Sequence, residues 1–200
     1  MSLVHVFGLV VNAPREWRSI HDKRYTARRS LLAHTVLFAL LPTVAGYLGA
    51  TEIGWRIGAG DIVRITESSG LRIAVLYYFA LVCATLSVGA VTRWMSVTYG
   101  ADQPFGQCFT LATYSATPLF VVGLLQLYPV LWLNLLAGLP ALGFSVYLFY
   151  SGVPVMMEVP PERGFLFATA VMGFGLVALV AMLVITVLLW GFGLGPVYIA

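Results

Sequence analysis

The side chains with chemistry to offer form one short constellation. Thr110, Thr113, Tyr114 and Thr117 are spaced three and four residues apart, so on a helix their hydroxyls share one stripe. Asn134 stands near the start of the next apolar run, and Ser115 and Pro118 lie beside the stripe. Neutral groups of this kind hydrogen-bond between membrane helices at ~0.6 to 2 kcal/mol. The alternative is a path for a small solute or ion along the stripe. Packing is the commoner use. His34 is the one Asp, Glu, Lys, Arg or His inside any of the long uncharged runs. Five residues past Arg29, it lies ~7–8 Å up a helix, near enough to an interface to reach water. A satisfied or interfacial histidine is the expectation ahead of a functional one.

Catalysis has little to work with. The motifs HExxH, GxSxG, GxxxxGKS/T and CxxC do not occur. Gly191, Gly193 and Gly195 form GxGxG, but no helix follows to cradle a phosphate. Glu158 and Glu162 flank Pro160 and Pro161, the composition of a solvated turn. Cys83 and Cys108 fall at different depths, about 15 Å and 9 Å from the nearest charged flank, so they read as free, buried thiols. The expectation is a protein that is not an enzyme, with no catalytic residue, cofactor or metal.

The elements that must carry the stripe follow from charge. Of 200 residues, 60% are hydrophobic and 10% charged, against about 45–50% and 25% in soluble domains. Four stretches carry no Asp, Glu, Lys or Arg: Ser30–Thr51, Ile73–Thr92, Gln103–Met157 and Gly164–Ala200. A hydrocarbon layer about 30 Å thick takes roughly 20 residues of helix. The third stretch, 55 residues long, must turn, and Gln126, Tyr128 and Pro129 mark where. Five spans result, at about 30–50, 73–92, 105–125, 130–150 and 164–190. The fold class is all-α: a polytopic five-helix membrane bundle. Residues 1–29 are a cytoplasmic segment, 30–193 one transmembrane domain and 194–200 a tail.

Orientation comes from Lys and Arg in short loops. Arg15, Arg18, Lys23, Arg24, Arg28, Arg29, Arg93 and Arg163 gather on one side, and Arg56, Arg64 and Arg72 on the other. That predicts the N-terminus in the cytoplasm and the C-terminus outside. The net charge of +3 belongs to this asymmetry beside anionic lipid, and no nucleic-acid partner is implied.

Ahead of the first span, Leu3, Val6, Val10, Ala13, Trp17 and Ile20 recur at three and four. Asn12 can cap and Pro14 suits a first turn, which predicts a short apolar helix and then a second from Pro14 to Arg29. With basic residues opposite, the pair reads as an interfacial amphipathic element anchored by Trp17. The loop Thr51–Arg72 holds Trp55, Ile57, Ile62, Val63 and Ile65 among Gly58 and Gly60, and reads as resting on the membrane with Trp55 as its anchor. Pro42, Pro118 and Pro140 free the carbonyls of Phe38, Tyr114 and Leu136, for which hydroxyls such as Thr113 and Thr117 are at hand. Ala45 with Gly49, Gly46 with Ala50, Ala80 with Ala84 and Ala137 with Ala141 mark close helix contacts.

Gln107–Pro129 reads QCFTLATYSATPLFVVGLLQLYP, with Tyr114, Ser115 and Pro118 in the places of a Tyr-Ser pair and following proline. It resembles the core signature of the Yip family, five-span proteins named for interaction with Ypt/Rab GTPases. Thr51–Trp55 (TEIGW), Ala116–Phe120 (ATPLF), Leu127–Trp132 (LYPVLW) and Leu189–Gly193 (LWGFG) resemble its bacterial inner-membrane branch. The resemblance implies five helices with a cytoplasmic N-terminus, and a role in membrane organisation or trafficking. Eukaryotic members carry a long cytosolic region; the 29 residues here weigh against a Rab-type GTPase partner. The functional expectation is an integral membrane protein acting through contacts with membrane lipids, a membrane-protein partner or a second copy of itself. The alternative is a transporter or channel along Thr110, Tyr114, Thr117 and Asn134.

Overall fold

The computed structural model describes residues 3–55 and 62–199. Five helices are long and apolar enough to cross a membrane: α2 (Ala27–Ile53), α3 (Glu67–Thr98), α4 (Phe105–Leu127), α5 (Leu131–Met156) and α6 (Pro161–Leu194). A bent helix, α1 (Leu3–Asp22), precedes them. The helices outrun the uncharged stretches. At α3, Thr66 caps the first turn, its Oγ1 accepting from the Ser69 N–H at 3.4 Å, and the helix runs 32 residues to Thr98. That length is about 48 Å, well beyond the hydrocarbon layer. Charge marks where side chains meet water; caps and glycines decide where the helix stops.

The central helix is α4. From Gln107 to Ser115 every residue is buried, and α2, α3 and α5 all pack on it. Glycines set two of the close approaches. A Cβ at Gly89 on α3 would stand 3.0 Å from the Cα of Phe109, and one at Gly49 on α2 would meet the carbonyl oxygens of Gln126 and Leu127. Of the small-residue pairs expected from sequence, those at Gly46 and Gly49 serve this contact, whereas Ala84 and Ala137 line cavities.

Helix α6 is peripheral. Gly164, Phe167, Ala168 and Val171 are buried, but from Leu176 to Leu188 the large side chains face outward. Gly193, at φ +82°, takes the left-handed conformation that breaks the helix. The chain beyond it is tied down: β1 (Arg64–Ile65) and β2 (Tyr198–Ile199) pair antiparallel. The Thr66 N–H donates to the Val197 carbonyl at 2.9 Å, and the Val197 N–H to Ser69 Oγ at 3.1 Å. Trp55 exchanges backbone hydrogen bonds with Val63 and meets Tyr198 edge-on at 6.3 Å. Arg56, Ile57, Gly58 and Gly60 lie outside the described residues.

The break near Asn12 falls where the sequence placed it. Asn12 leaves helical geometry (φ −152°, ψ 81°), and its Oδ1 accepts from the Arg15 N–H at 3.2 Å. The chain turns back there, so that Glu16 reaches His5 on the first leg. The second leg ends at Asp22, not Arg29, because the chain turns through Arg24 at positive φ and restarts as α2 at Ala27. What covers the apolar stripe also differs from expectation. Leu9, Ala13, Trp17 and Ile20 are buried against α5 and the first half of α4 rather than presented to lipid. Trp17, read as an interfacial anchor, is a core residue. Its indole fits over Gly152, where a Cβ would stand 2.7 Å from Cε2, and its Nε1–H donates to Ser151 Oγ at 3.3 Å. The outward side of the first leg, Val4, Phe7, Val10 and Val11, stays exposed and apolar.

Candidate functional site

The stripe on α4 faces α2, and it is met there residue by residue. Near its start α2 widens into a π turn, Leu31–Thr35. Such turns re-aim side chains within a helix, and here the adjacent His34 and Thr35 both reach α4. Ser30 Oγ lies 2.7 Å from Thr110 Oγ1, Thr35 Oγ1 3.0 Å from Thr113 Oγ1, and His34 Nε2 2.8 Å from Thr117 Oγ1. Two of the α4 hydroxyls spend their hydrogen on their own helix: Thr110 donates to the Gly106 carbonyl at 2.7 Å and Thr117 to that of Thr113 at 3.2 Å. They are therefore acceptors across the seam. Ser30 donates to Thr110, and His34 donates to Thr117 from Nε2, as a neutral tautomer can. His34 stacks on Phe38 at 4.2 Å and is buried, so it does not reach for water.

This is a closed seam of paired groups, the three threonine hydroxyls of α4 each satisfied without water. Thr110 and Thr113 are 0% exposed. Converting Thr35 and Thr113 singly and together to valine should give a coupling of ~0.6 to 2 kcal/mol in a double-mutant cycle read by denaturant unfolding in detergent. Additive effects would mean that the contact contributes nothing.

Tyr114 sits at the crossing of α1, α2 and α4. Its ring lies 4.6 Å from His34, 6.2 Å from His5 and 6.4 Å from Trp17, and its hydroxyl has no partner among the described residues. His5 is itself held by the Glu16 carboxylate, by Lys23 Nζ at 2.7 Å and by Tyr25 Oη at 3.3 Å. Asn134 does not join the stripe. Its amide nitrogen donates to the Tyr128 and Val130 carbonyls at 2.9 Å, tying it to the turn that leads into α5. Nor does Thr117 serve the carbonyl freed by Pro118, since it bonds Thr113 instead. Trp55 belongs to the β-paired end of the bundle.

Two cavities flank the seam. The larger, of 680 Å³, lies among α3, α4, α5 and α6, with Tyr77, Thr85, Ser115, Gln126, Asn134 and Ser145 as its polar lining. The smaller, of 520 Å³, lies between the first leg of α1, α4 and α5 and is almost wholly apolar, with Tyr114, Thr117 and Pro118 on its wall. Ser115, one residue from Tyr114, thus faces the other way. Sequence reasoning missed Ser30 and Thr35, although with His34 they are the polar residues of α2 between Arg29 and Pro42. It also missed Ser145, a serine in the middle of an apolar helix with no spacing to flag it. Among the described residues, no three of His, Cys, Asp and Glu gather to hold a metal ion, and Cys83 and Cys108 are unpaired.

Five apolar crossings around a buried, neutral polar seam define a polytopic helical membrane protein. The model of the Yip1 domain matches residues 7–194, and the chain belongs to that family. Inner membrane protein YohC of Escherichia coli strain K12 is 35% identical over 189 residues, which cover 94% of this chain and 97% of that protein. The protein of the same name from Escherichia coli O6:H1 matches to the same extent. No solved structure matches.

Proposed function

We propose that the chain is a non-catalytic inner-membrane protein, N-terminus in the cytoplasm, that acts in membrane organisation through contacts with proteins or lipids inside the bilayer. One observation carries the reading: the threonines of the polar stripe are spent on holding α2 to α4, while broad apolar faces of α5 and α6 are left uncovered by the described residues. Trp132 and Leu136 on α5 are 78% and 76% exposed, and Val177 and Val180 on α6 are likewise uncovered. Basic residues at the α1 end, Arg15, Arg18, Arg28, Arg29, Arg93 and Arg163, support the cytoplasmic placement of that end. The name of the Escherichia coli relatives supports the inner membrane. Residues 1–29 and 30–193 act as one unit in this reading, since α1 packs on α5.

Photoreactive side chains at Leu136 and Val180 in native membranes should yield discrete protein adducts, with another protein or with a second copy. Diffuse lipid adducts at both positions, together with solute flux into proteoliposomes that falls on Tyr114→Phe, would favour a transport pathway instead.

A further inference from the structure

The larger cavity has features that the packing of the bundle does not use. Helix α6 closes it only at Met172 and Leu179. Packed at Gly164–Val171 and tied again beyond Gly195, α6 leaves α5 in between. Among the described residues, nothing beyond the helix's own neighbouring turn lies within 4 Å of where a Cβ would stand on Gly138 and Gly143 of α5 or on Gly173 and Gly175 of α6. Leu139 and Leu142 on α5 and Leu176 and Val180 on α6 are exposed. The cavity therefore opens sideways, between α5 and α6, toward the lipid.

Its lining selects by charge and by depth. No Asp, Glu, Lys, Arg or His belongs to it among the described residues. Ser115 and Ser145 are 5% and 7% exposed, and neither hydroxyl has a hydrogen-bond partner among the described residues. Unpaired hydroxyls in an apolar interior are costly and call for an explanation. Rotation about Cα–Cβ moves such a hydroxyl between its own helix and the space beside it. Ser115 is ten residues from the start of α4 and Ser145 eleven from the end of α5, at the same face of the membrane. Both therefore sit about 15–17 Å in, near the middle of the hydrocarbon layer. At the far end, the Asn134 side-chain oxygen has no hydrogen bond among the described residues, the amide nitrogen alone being bonded. The volume, 680 Å³, is that of a small-ligand site.

We propose that this cavity binds an uncharged lipid carrying carbonyl or hydroxyl oxygens, which the hydroxyls of Ser115 and Ser145 hold at mid-membrane depth. An ordinary phospholipid keeps its charged head and ester oxygens at the interface, beyond reach of these serines; a lipid without a charged head can sink to them. The assignment rests on the reading of the chain as a contact-making membrane protein and names one of its contacts.

The test uses full-length protein in phosphatidylcholine/phosphatidylglycerol vesicles with a diacylglycerol bearing a photoreactive acyl chain, compared with a phosphatidylcholine bearing the same chain. Diacylglycerol should label peptides containing Ala116 and Leu142 about tenfold more than phosphatidylcholine. Gly138→Leu, whose side chain enters open space, should abolish the excess without lowering the thermal midpoint. Ser115→Ala with Ser145→Ala should reduce it severalfold. Equal labelling by the two probes, or an excess that survives Gly138→Leu, would overturn the assignment. If the lipid excess is absent while the protein adducts at Leu136 and Val180 form, the lipid site falls and the broader reading stands. If the excess is present without those adducts, the site stands alone.

Discussion

Trp17→Ala should destabilise the folded protein by about 3–5 kcal/mol, the cost of removing a large aromatic side chain from a filled interior. The indole is 0% exposed. It packs edge-on to Tyr114 at 6.4 Å and donates to Ser151 Oγ at 3.3 Å. Its ring lies over Gly152, a close approach that any larger residue on α5 would block. Without it, α1 loses the side chain that seats its second leg on α5. Reversible unfolding in mixed detergent micelles measures the loss, and Trp17→Phe should recover part of it by refilling the space without the N–H. An indole lying at the membrane surface would make the same change nearly silent, within about 0.5 kcal/mol.

Gly49→Val should cost at least as much as typical overpacking, about 1–3 kcal/mol, and should lower the yield of folded protein. A Cβ there meets the carbonyl oxygen of Gln126 and stands 3.0 Å from that of Leu127. These are backbone atoms of the last turn of α4, so relief requires moving a helix. Gly46, one turn earlier, faces the flexible Gln126 side chain, with Oε1 2.8 Å from its Cβ position. Gly46→Ala should therefore be milder. Gly138→Ala, facing open space, should stabilise by up to about 1 kcal/mol through helix propensity. The order Gly49, Gly46, Gly138 in thermal midpoint checks the packing of α2 on α4; three equal shifts would contradict it.

How much of this was legible beforehand depended on whether the signal is local. The spans were legible because nineteen charges in 200 residues leave whole helices bare, and the break at Asn12 because a cap and a following proline announce it. The stripe at 110, 113, 114 and 117 was legible as a stripe. Its role was not, since that depends on Ser30, His34 and Thr35, eighty residues away, and on a π turn that no residue type signals. Trp17 shows the same gap. An apolar periodicity says that a face is covered, but lipid and α5 are equally apolar covers, and only the gap at Gly152 distinguishes them. The outward course of α6 was invisible because a helix that is apolar all round has no face to point with.

The most direct test of the closed seam is the reach of water to it. In a background with Cys83 and Cys108 replaced by alanine, single cysteines at Thr110 and Thr113 should resist a water-soluble maleimide in intact membranes and react only after denaturation, with a cysteine at Asp102 as the reactive control. Both threonines are 0% exposed, whereas the Asp102 side chain is 92% exposed. Labelling of the two seam positions at rates near that of the control would show a water-filled path between α2 and α4 and contradict the account.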